Sequence, residues 1–213
     1  MDNILDYVKE KWNQLTSFSK KEEVKEQLWN EIVYRYAEQH RHYHNLGHIA
    51  YLYSLCDQHL DKIANPAVTG FAILYHDIIY DTYRHNNEEE SAELAEAHLK
   101  QLHVKSAIIK SVKDFIIATK EHRVPESSPL KNDLSLLLDF DMAILAAEPD
   151  TYKLYSEKIR LEYSKYPDDV YKEGRKQALQ KVLASPEIFV TAEFVESMEE
   201  TARQNIRGEI AQL

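Results

Sequence analysis

The amino-acid sequence predicts an all-α fold, and the reasons are its composition and its periodicity. The chain of 213 residues contains only 4 Gly and 6 Pro, whereas an all-β sandwich or barrel needs a turn about every 8–12 residues. Apolar residues recur at helical spacing, and no segment alternates with period two for long enough to build a sheet. We expect one domain over residues 1–213, a bundle of about nine or ten helices in which those from about residue 149 onward could form a looser lobe.

Composition also limits the classes of partner. A formal net charge of −10 disfavours a nucleic-acid polymer or an anionic membrane as the main partner. The single Cys excludes an intrachain disulfide and a CxxC zinc motif. No apolar run approaches the roughly 18 residues of a transmembrane helix, and the N-terminus lacks the apolar region of a signal peptide. We therefore expect a cytoplasmic protein and leave a homodimer open.

Capping residues and apolar stripes predict the first six helices. Ser19 followed by Glu22 matches a capping box, so we expect a second helix to begin at Ser19. Asn45 suits the cap of a third helix, and Asn65 before Pro66 suits the cap of a fourth. The apolar faces of the first and sixth helices contain Ile4, Leu5, Val8, Trp12 and Leu15, and Val104, Ile108, Val112, Phe115 and Ile116.

The rest of the chain also has helical spacing. The acidic run 88–90 favours the start of a fifth helix, because negative charge stabilises a helix N-terminus. The segment 123–131 holds two Pro and two Ser, so it is the clearest loop, and we expect it to be the most mobile internal segment and to cover part of a pocket. Beyond it we expect helices around 132–147, 149–165, 168–184 and 190–211.

Three groups of polar residues stand out against this apolar pattern. His40, His42, His44 and His48 crowd one short segment, and the last two are spaced so that they share a helix face. A solvated polar turn is the alternative explanation for this group.

The second group is the His76-Asp77 doublet, which we expect inside the apolar fourth helix. A carboxylate there is costly unless it is paired or bound to a metal. The alternative is a structural hydrogen bond or salt bridge between the two side chains.

The third group is a pair of aspartates two residues apart. Asp141 falls on a leucine stripe and so on the buried side of its helix, where a charge requires a cation. Asp139 falls on the flank and could support a ligand, cap a helix or face solvent. Two imidazoles and two carboxylates from these groups would suit Mn, Fe, Ni, Co or Zn better than Mg.

The order of these residues resembles the HD superfamily of all-helical, metal-dependent phosphohydrolases, and in particular its predicted HD-type phosphohydrolase subfamily. The resemblance spans roughly residue 29 to the C-terminus. It is carried by the segments RHYHNLGH (41–48), YHDIIYD (75–81), NNEEESA (86–92), IIATKEH (116–122), LLLDFDMAIL (136–145), YSEKIRLEY (155–163) and ARQNIRGEIAQL (202–213).

The resemblance implies an HD-type helical bundle and one divalent transition metal. The metal ligands it implies are His48, His76, Asp77 and Asp141, with His44 as the competing choice for the first ligand. A second metal stays open, with His85 and His122 as its candidate ligands. We expect His98 and His103 to be surface residues.

The implied activity is hydrolysis of a phosphoester of a small phosphorylated metabolite, such as a nucleotide, by a metal-activated water. The candidate catalytic residues are Asp77, Glu88, Arg160 and His122. The candidate substrate-binding residues are Arg41, Tyr43, His44, Arg84 and Lys120.

Each of these roles has an alternative. Arg160 could instead form an ion pair with Glu157 or Glu162, and the acidic run could be a solvated helix start. At the level of the whole chain, the alternatives are a non-catalytic HD module that binds a nucleotide or a partner, an HD-fold iron oxygenase, and a helical interaction protein with a structural metal.

Overall fold

A computed structural model describes the backbone of residues 2–213 and the side chains from residue 3 onward. Over that range the chain forms ten α-helices and two short 3₁₀ turns without any strand, which confirms the predicted fold class. The helices are α1 Asp2–Leu15, α2 Glu22–Tyr36, α3 Leu46–Gln58, α4 Pro66–Tyr75, α5 Asn87–Gln101, α6 Ser106–Thr119, α7 Lys131–Met142, α8 Pro149–Glu162, α9 Asp168–Ala184 and α10 Ala192–Ile210, and the 3₁₀ turns are Leu60–Lys62 and Ala143–Ala146.

The chain divides into two compact units, Met1–Leu137 and Leu138–Leu213. The boundary falls within α7, earlier than the residue near 149 at which the sequence suggested a looser lobe. The expectation of a single domain therefore stays a prediction.

Helix α4 is the centre of the first unit. Its residues from Val68 to Tyr75 are all buried, as expected for a helix that is apolar on every side. Helices α1, α3, α5 and α6 pack against it. The contact with α1 is close, because a Cβ atom added at Gly70 would lie 2.8 Å from Leu15 Cδ2.

Two of the three predicted caps are confirmed. The side chain of Asn45 accepts a hydrogen bond from Gly47 N at the start of α3, and that of Asn65 accepts from Val68 N at the start of α4. The capping box is wrong, because α2 begins at Glu22. The reason is that the backbone N–H of Ser19 donates to Thr16 O, which keeps Ser19 in the turn that follows α1.

The second unit contains the end of α7 and the helices α8 to α10. The carboxylate of Asp139, which is buried, accepts from the backbone N–H groups of Val190 and Thr191 at 2.6 and 2.9 Å, immediately before α10. Arg175 forms a bidentate pair with Glu209 on α10, at 2.8 and 3.1 Å. The carboxylate of Asp139 therefore holds the two residues that lead into α10, and it does not face solvent.

The segment 123–131 lies between α6 and α7 and is non-helical up to residue 130, as predicted. Its mobility and its position over a pocket stay predictions. Among residues 2–213, none of the helices combines the length and the apolarity that crossing a membrane requires.

Candidate metal centre

His48 lies in the first turn of α3, and it is 4% exposed. The cap residue Asn45 fixes this turn, because its side chain accepts from Gly47 N at 2.8 Å and donates to His42 O at 3.0 Å. The direction of the His48 side chain is thus set by a capped helix start rather than by a loop.

His76 and Asp77 lie just beyond the end of α4, in the turn that follows Tyr75, rather than inside the helix as the sequence suggested. Other parts of the chain hold one carbonyl group at the end of α4 and one in the turn that follows it. The hydroxyl of Tyr36 donates to Leu74 O at 2.8 Å, and Arg41 donates to Asp77 O at 2.6 Å.

The turn allows the side chains of His76 and Asp77 to approach each other. Adjacent side chains on a helix diverge by about 100°, whereas here Asp77 Oδ2 lies 3.0 Å from His76 Nε2. Both side chains of the doublet therefore reach one point.

Three ligand-type atoms of the first unit meet at that point. His48 Nε2 lies 3.2 Å from His76 Nε2 and 3.6 Å from Asp77 Oδ2. Metal–ligand bonds of about 2.0–2.2 Å place neighbouring ligand atoms about 3.0–3.5 Å apart in tetrahedral or octahedral geometry. The spacing of these three atoms thus matches what one bound ion requires.

The hydrogen bonding of His76 fixes which of its nitrogens can bind a metal. Its Nδ1 lies 2.9 Å from Ile73 O. A carbonyl oxygen only accepts hydrogen bonds, so Nδ1 carries the proton, and the lone pair of the neutral ring lies on Nε2. That nitrogen faces His48 and Asp77, and a backbone acceptor behind a histidine is the usual support of a metal ligand.

Asp141, the remaining candidate ligand, lies on α7 in the second unit, and its part in the set stays a prediction. Of the two candidates for the first ligand, His48 is the one whose Nε2 lies beside His76 Nε2.

Protonated imidazoles keep Asp77 ionised. Burial acts to raise the pKa of this carboxyl group, but the charge and hydrogen bond of protonated His76, with smaller contributions from protonated His44 and His48, hold the pKa well below its usual range. The side chain is 21% exposed, so one edge of the carboxylate is open to solvent. An ionised, partly open carboxylate suits both metal binding and water orientation.

Aromatic and imidazole rings border His48. The ring centroid of Tyr43 lies 4.9 Å from that of His48, and the centroid of His44 lies 5.7 Å from it. His44 is stacked on Tyr80 at 4.3 Å. Two of the candidate substrate-binding residues, Tyr43 and His44, are thus next to the candidate metal ligands.

Arg41 has a different environment from the one expected of a substrate-binding arginine. Its side chain is 0% exposed, and its guanidinium donates to the backbone of His44, Asp77 and Ile78. A group enclosed in this way has no surface to offer a phosphate, so the geometry gives Arg41 a supporting role.

The remaining candidate cations of the first unit take part in exposed ion pairs. Arg84 lies 2.6 Å from Glu90, and Lys120 lies 2.5 Å from Glu89 and donates to His85 O at 2.6 Å. Two candidate catalytic residues of the first unit remain, Glu88 and His122. Glu88 lies in the first turn of α5. His122 follows α6 with a φ of 47°, in the left-handed region.

Arg160 lies on α8 in the second unit. It donates to Tyr163 O at 2.9 Å and to Tyr166 O at 3.2 Å, and it pairs with Asp168 at the start of α9. The ion pair shown here is thus with Asp168 on the following helix, and pairing with Glu157 or Glu162 stays a prediction. This arginine joins the end of α8 to the beginning of α9.

The expectation that His98 is a surface residue is wrong. It is 3% exposed, its Nδ1 lies 3.1 Å from Tyr75 Oη, and its Nε2 lies 3.4 Å from Glu31 Oε2. Its spacing from the buried Ala95 and Leu99 places it on the inner face of α5, a signal that the sequence contains. His103 is exposed, as expected.

Comparisons of the chain with protein-family models, with curated proteins and with solved structures find no match. The function must therefore be inferred from the residues themselves, above all from the short distances among the side chains of His48, His76 and Asp77.

Proposed function

We propose that this protein is a metal-dependent phosphohydrolase of the HD type that cleaves a phosphoester of a small phosphorylated metabolite. The observation that carries the proposal is the set of distances, 3.0, 3.2 and 3.6 Å, among Asp77 Oδ2, His76 Nε2 and His48 Nε2. The order of the motifs in the sequence, which resembles that superfamily, supports it independently.

In this proposal His48, His76 and Asp77 hold the metal, and Asp141 stays the further carboxylate ligand that the resemblance implies. Two imidazole nitrogens and two carboxylate oxygens favour Mn, Fe, Co, Ni or Zn over Mg, which prefers an all-oxygen set. Such an ion, when bound, lowers the pKa of its water so that hydroxide is available near neutral pH.

The protein's own side chains supply the other requirements of phosphoester hydrolysis. Asp77 presents Oδ2 to the two imidazoles, which leaves its second oxygen to orient the attacking water. Glu88 is the proposed proton donor or acceptor, and His122 is a second candidate for this role.

Cations for the phosphate are proposed to come from Arg84 and Lys120. Each is at present in an ion pair with a glutamate, and its side chain is 50% or 32% exposed, respectively. Exposed pairs of this kind contribute only about 0–1 kcal/mol, so a phosphate dianion can displace the glutamate. Tyr43 and His44 would contact the rest of the substrate.

A metal-supplemented activity screen tests the proposal. Purified full-length protein is loaded with Mn²⁺, Fe²⁺, Co²⁺, Ni²⁺ or Zn²⁺ and assayed against nucleotides, sugar phosphates and bis(p-nitrophenyl) phosphate. We expect turnover that chelation removes and that Asp77→Asn lowers by about 100-fold or more, because the variant loses both a ligand and a water-orienting charge.

The matched control is Asp114→Asn, which changes an exposed aspartate paired with Lys110 on α6 and should keep full activity. Turnover that survives chelation, or that Asp77→Asn leaves unchanged, would contradict the proposal. A protein that binds metal but turns over none of the substrates would favour the non-catalytic module.

A further inference from the structure

We infer that Arg41 is a positioning residue, whose guanidinium holds the turn of His76 and Asp77 against the segment that leads into His48. The inference rests on the proposed metal function, because its consequence is the spacing of the proposed metal ligands. It assigns Arg41 no contact with substrate.

The guanidinium of Arg41 bonds two separate segments of backbone. Nη1 donates to Asp77 O at 2.6 Å and to His44 O at 3.1 Å, and Nη2 donates to Ile78 O at 2.9 Å. His44 lies one helical turn before His48, and Asp77 and Ile78 belong to the turn that bears the doublet. One rigid, planar group thus fixes the backbone on both sides of the contact between His48 and His76.

The guanidinium of Arg41 is enclosed by the protein. The Arg41 side chain is 0% exposed, and its charge is balanced by Glu38, which lies 3.0 Å from Nε. The guanidinium carbon also lies over the rings of Tyr36 and Tyr80, at 5.1 and 5.5 Å. A cation buried so fully is costly unless it is paired and hydrogen-bonded. Here three N–H donors bond the backbone of the candidate centre and a fourth bonds Glu38.

The planar shape of the Arg41 guanidinium also matters for these bonds. A guanidinium presents five N–H donors in a fixed plane, whereas the ammonium group of Lys is a compact charge on a flexible stem. Lysine would keep the positive charge at position 41, but it could not bond three carbonyl groups and Glu38 in the same geometry. Arg41→Lys therefore separates the charge from the positioning.

Arg203 offers a matched control in the second unit. Its Nε donates to Glu199 at 2.7 Å, and its other nitrogens donate to the backbone oxygens of Leu183, Ser185 and Pro186. It uses the same combination of one glutamate and three carbonyl groups, but at the end of α9. Arg203→Lys thus removes an equivalent set of bonds without changing any contact of His48, His76 or Asp77.

The experiment measures Co²⁺ affinity by visible absorption in the full chain, for wild type, Arg41→Lys and Arg203→Lys, each checked for folding by circular dichroism. We expect Arg41→Lys to weaken Co²⁺ binding by about 10-fold or more, as is typical when a group that orients metal ligands is lost. Arg203→Lys should bind Co²⁺ like wild type. Glu38→Gln, a milder variant that keeps the guanidinium, should give a smaller loss in the same direction.

A second measurement does not depend on metal. Without metal, amide hydrogen exchange in residues 74–80 should be faster in Arg41→Lys than in wild type and unchanged in Arg203→Lys. If wild type binds no Co²⁺ while this exchange still rises in Arg41→Lys, the metal function fails and the positioning role of Arg41 stands. If wild type binds Co²⁺, an equal affinity in Arg41→Lys, or an equal loss of affinity in Arg203→Lys, would overturn the inference.

Discussion

The carboxylate and the backbone carbonyl of Asp77 have different contacts. Its carboxylate lies between the imidazoles of His76 and His48, while its backbone carbonyl accepts a hydrogen bond from the buried guanidinium of Arg41. The same residue is therefore both a candidate ligand and the point at which the turn is held. A substitution that keeps the backbone bond, such as Asp77→Asn, changes the first role without disturbing the second.

His98 is the residue for which the structure predicts a pH effect on stability. Burial lowers its pKa below the usual value of 6.5, the nearby Arg35 acts in the same direction, and Glu31 opposes the shift. Because the folded protein binds this proton less readily than the unfolded chain, the stability that neutral His98 contributes is present above the unfolded pKa. It is lost as the pH falls toward the lower folded pKa.

We therefore expect the urea midpoint of wild type to fall more between about pH 7.5 and about pH 5 than that of His98→Asn. The exposed His103 provides the control, since His103→Asn should keep the pH dependence of wild type. An identical pH dependence in wild type and His98→Asn would show that this buried imidazole does not contribute.

At the scale of the helices, the two glycines of α4 and α9 differ in what surrounds them. A Cβ at Gly70 would lie 2.8 Å from Leu15 Cδ2, so the Leu15 side chain would have to shift to make room for it. A Cβ at Gly174, which is exposed on α9, would meet no atom within 4 Å. The same substitution should therefore have opposite effects at the two positions.

We expect Gly70→Ala to lower the free energy of unfolding by about 1–3 kcal/mol, because the added methyl group overpacks the contact with Leu15. Gly174→Ala should raise it by about 0.5–1 kcal/mol, because alanine costs less conformational entropy in a helix. Denaturant unfolding of the two variants measures whether the free energy of unfolding falls in Gly70→Ala and rises in Gly174→Ala. Stabilisation by Gly70→Ala would contradict the close packing of α1 on α4.

At the scale of the whole molecule, buried aspartates on α7 anchor one segment in each unit. In the first unit Asp133 accepts from the backbone N–H groups of Ala64 and Asn65, just before α4, at 2.9 and 2.7 Å. In the second unit Asp139 accepts from those of Val190 and Thr191, just before α10. Each buried carboxylate satisfies the backbone N–H groups of the two residues that lead into a helix.

Sequence reasoning predicted the features that depend on local pattern. The helices follow from apolar spacing, and the caps at Asn45 and Asn65 follow from side chains that bond their own helix start. The contacts at the end of α4 and in the turn beyond it could not be predicted in this way, because Tyr36 and Arg41 lie 38 and 36 residues away in sequence from the carbonyl groups that they hold. The buried role of Arg41 was missed for the same reason.

The central claim is that His48, His76 and Asp77 bind one divalent ion, and anomalous diffraction tests it most directly. Crystals of the full chain grown with Mn²⁺ would locate the metal without any assumption about the substrate. The account predicts a single strong peak about 2.0–2.2 Å from Nε2 of His48, Nε2 of His76 and a carboxylate oxygen of Asp77. The absence of a peak at this position, or an ion held there without either imidazole, would contradict it.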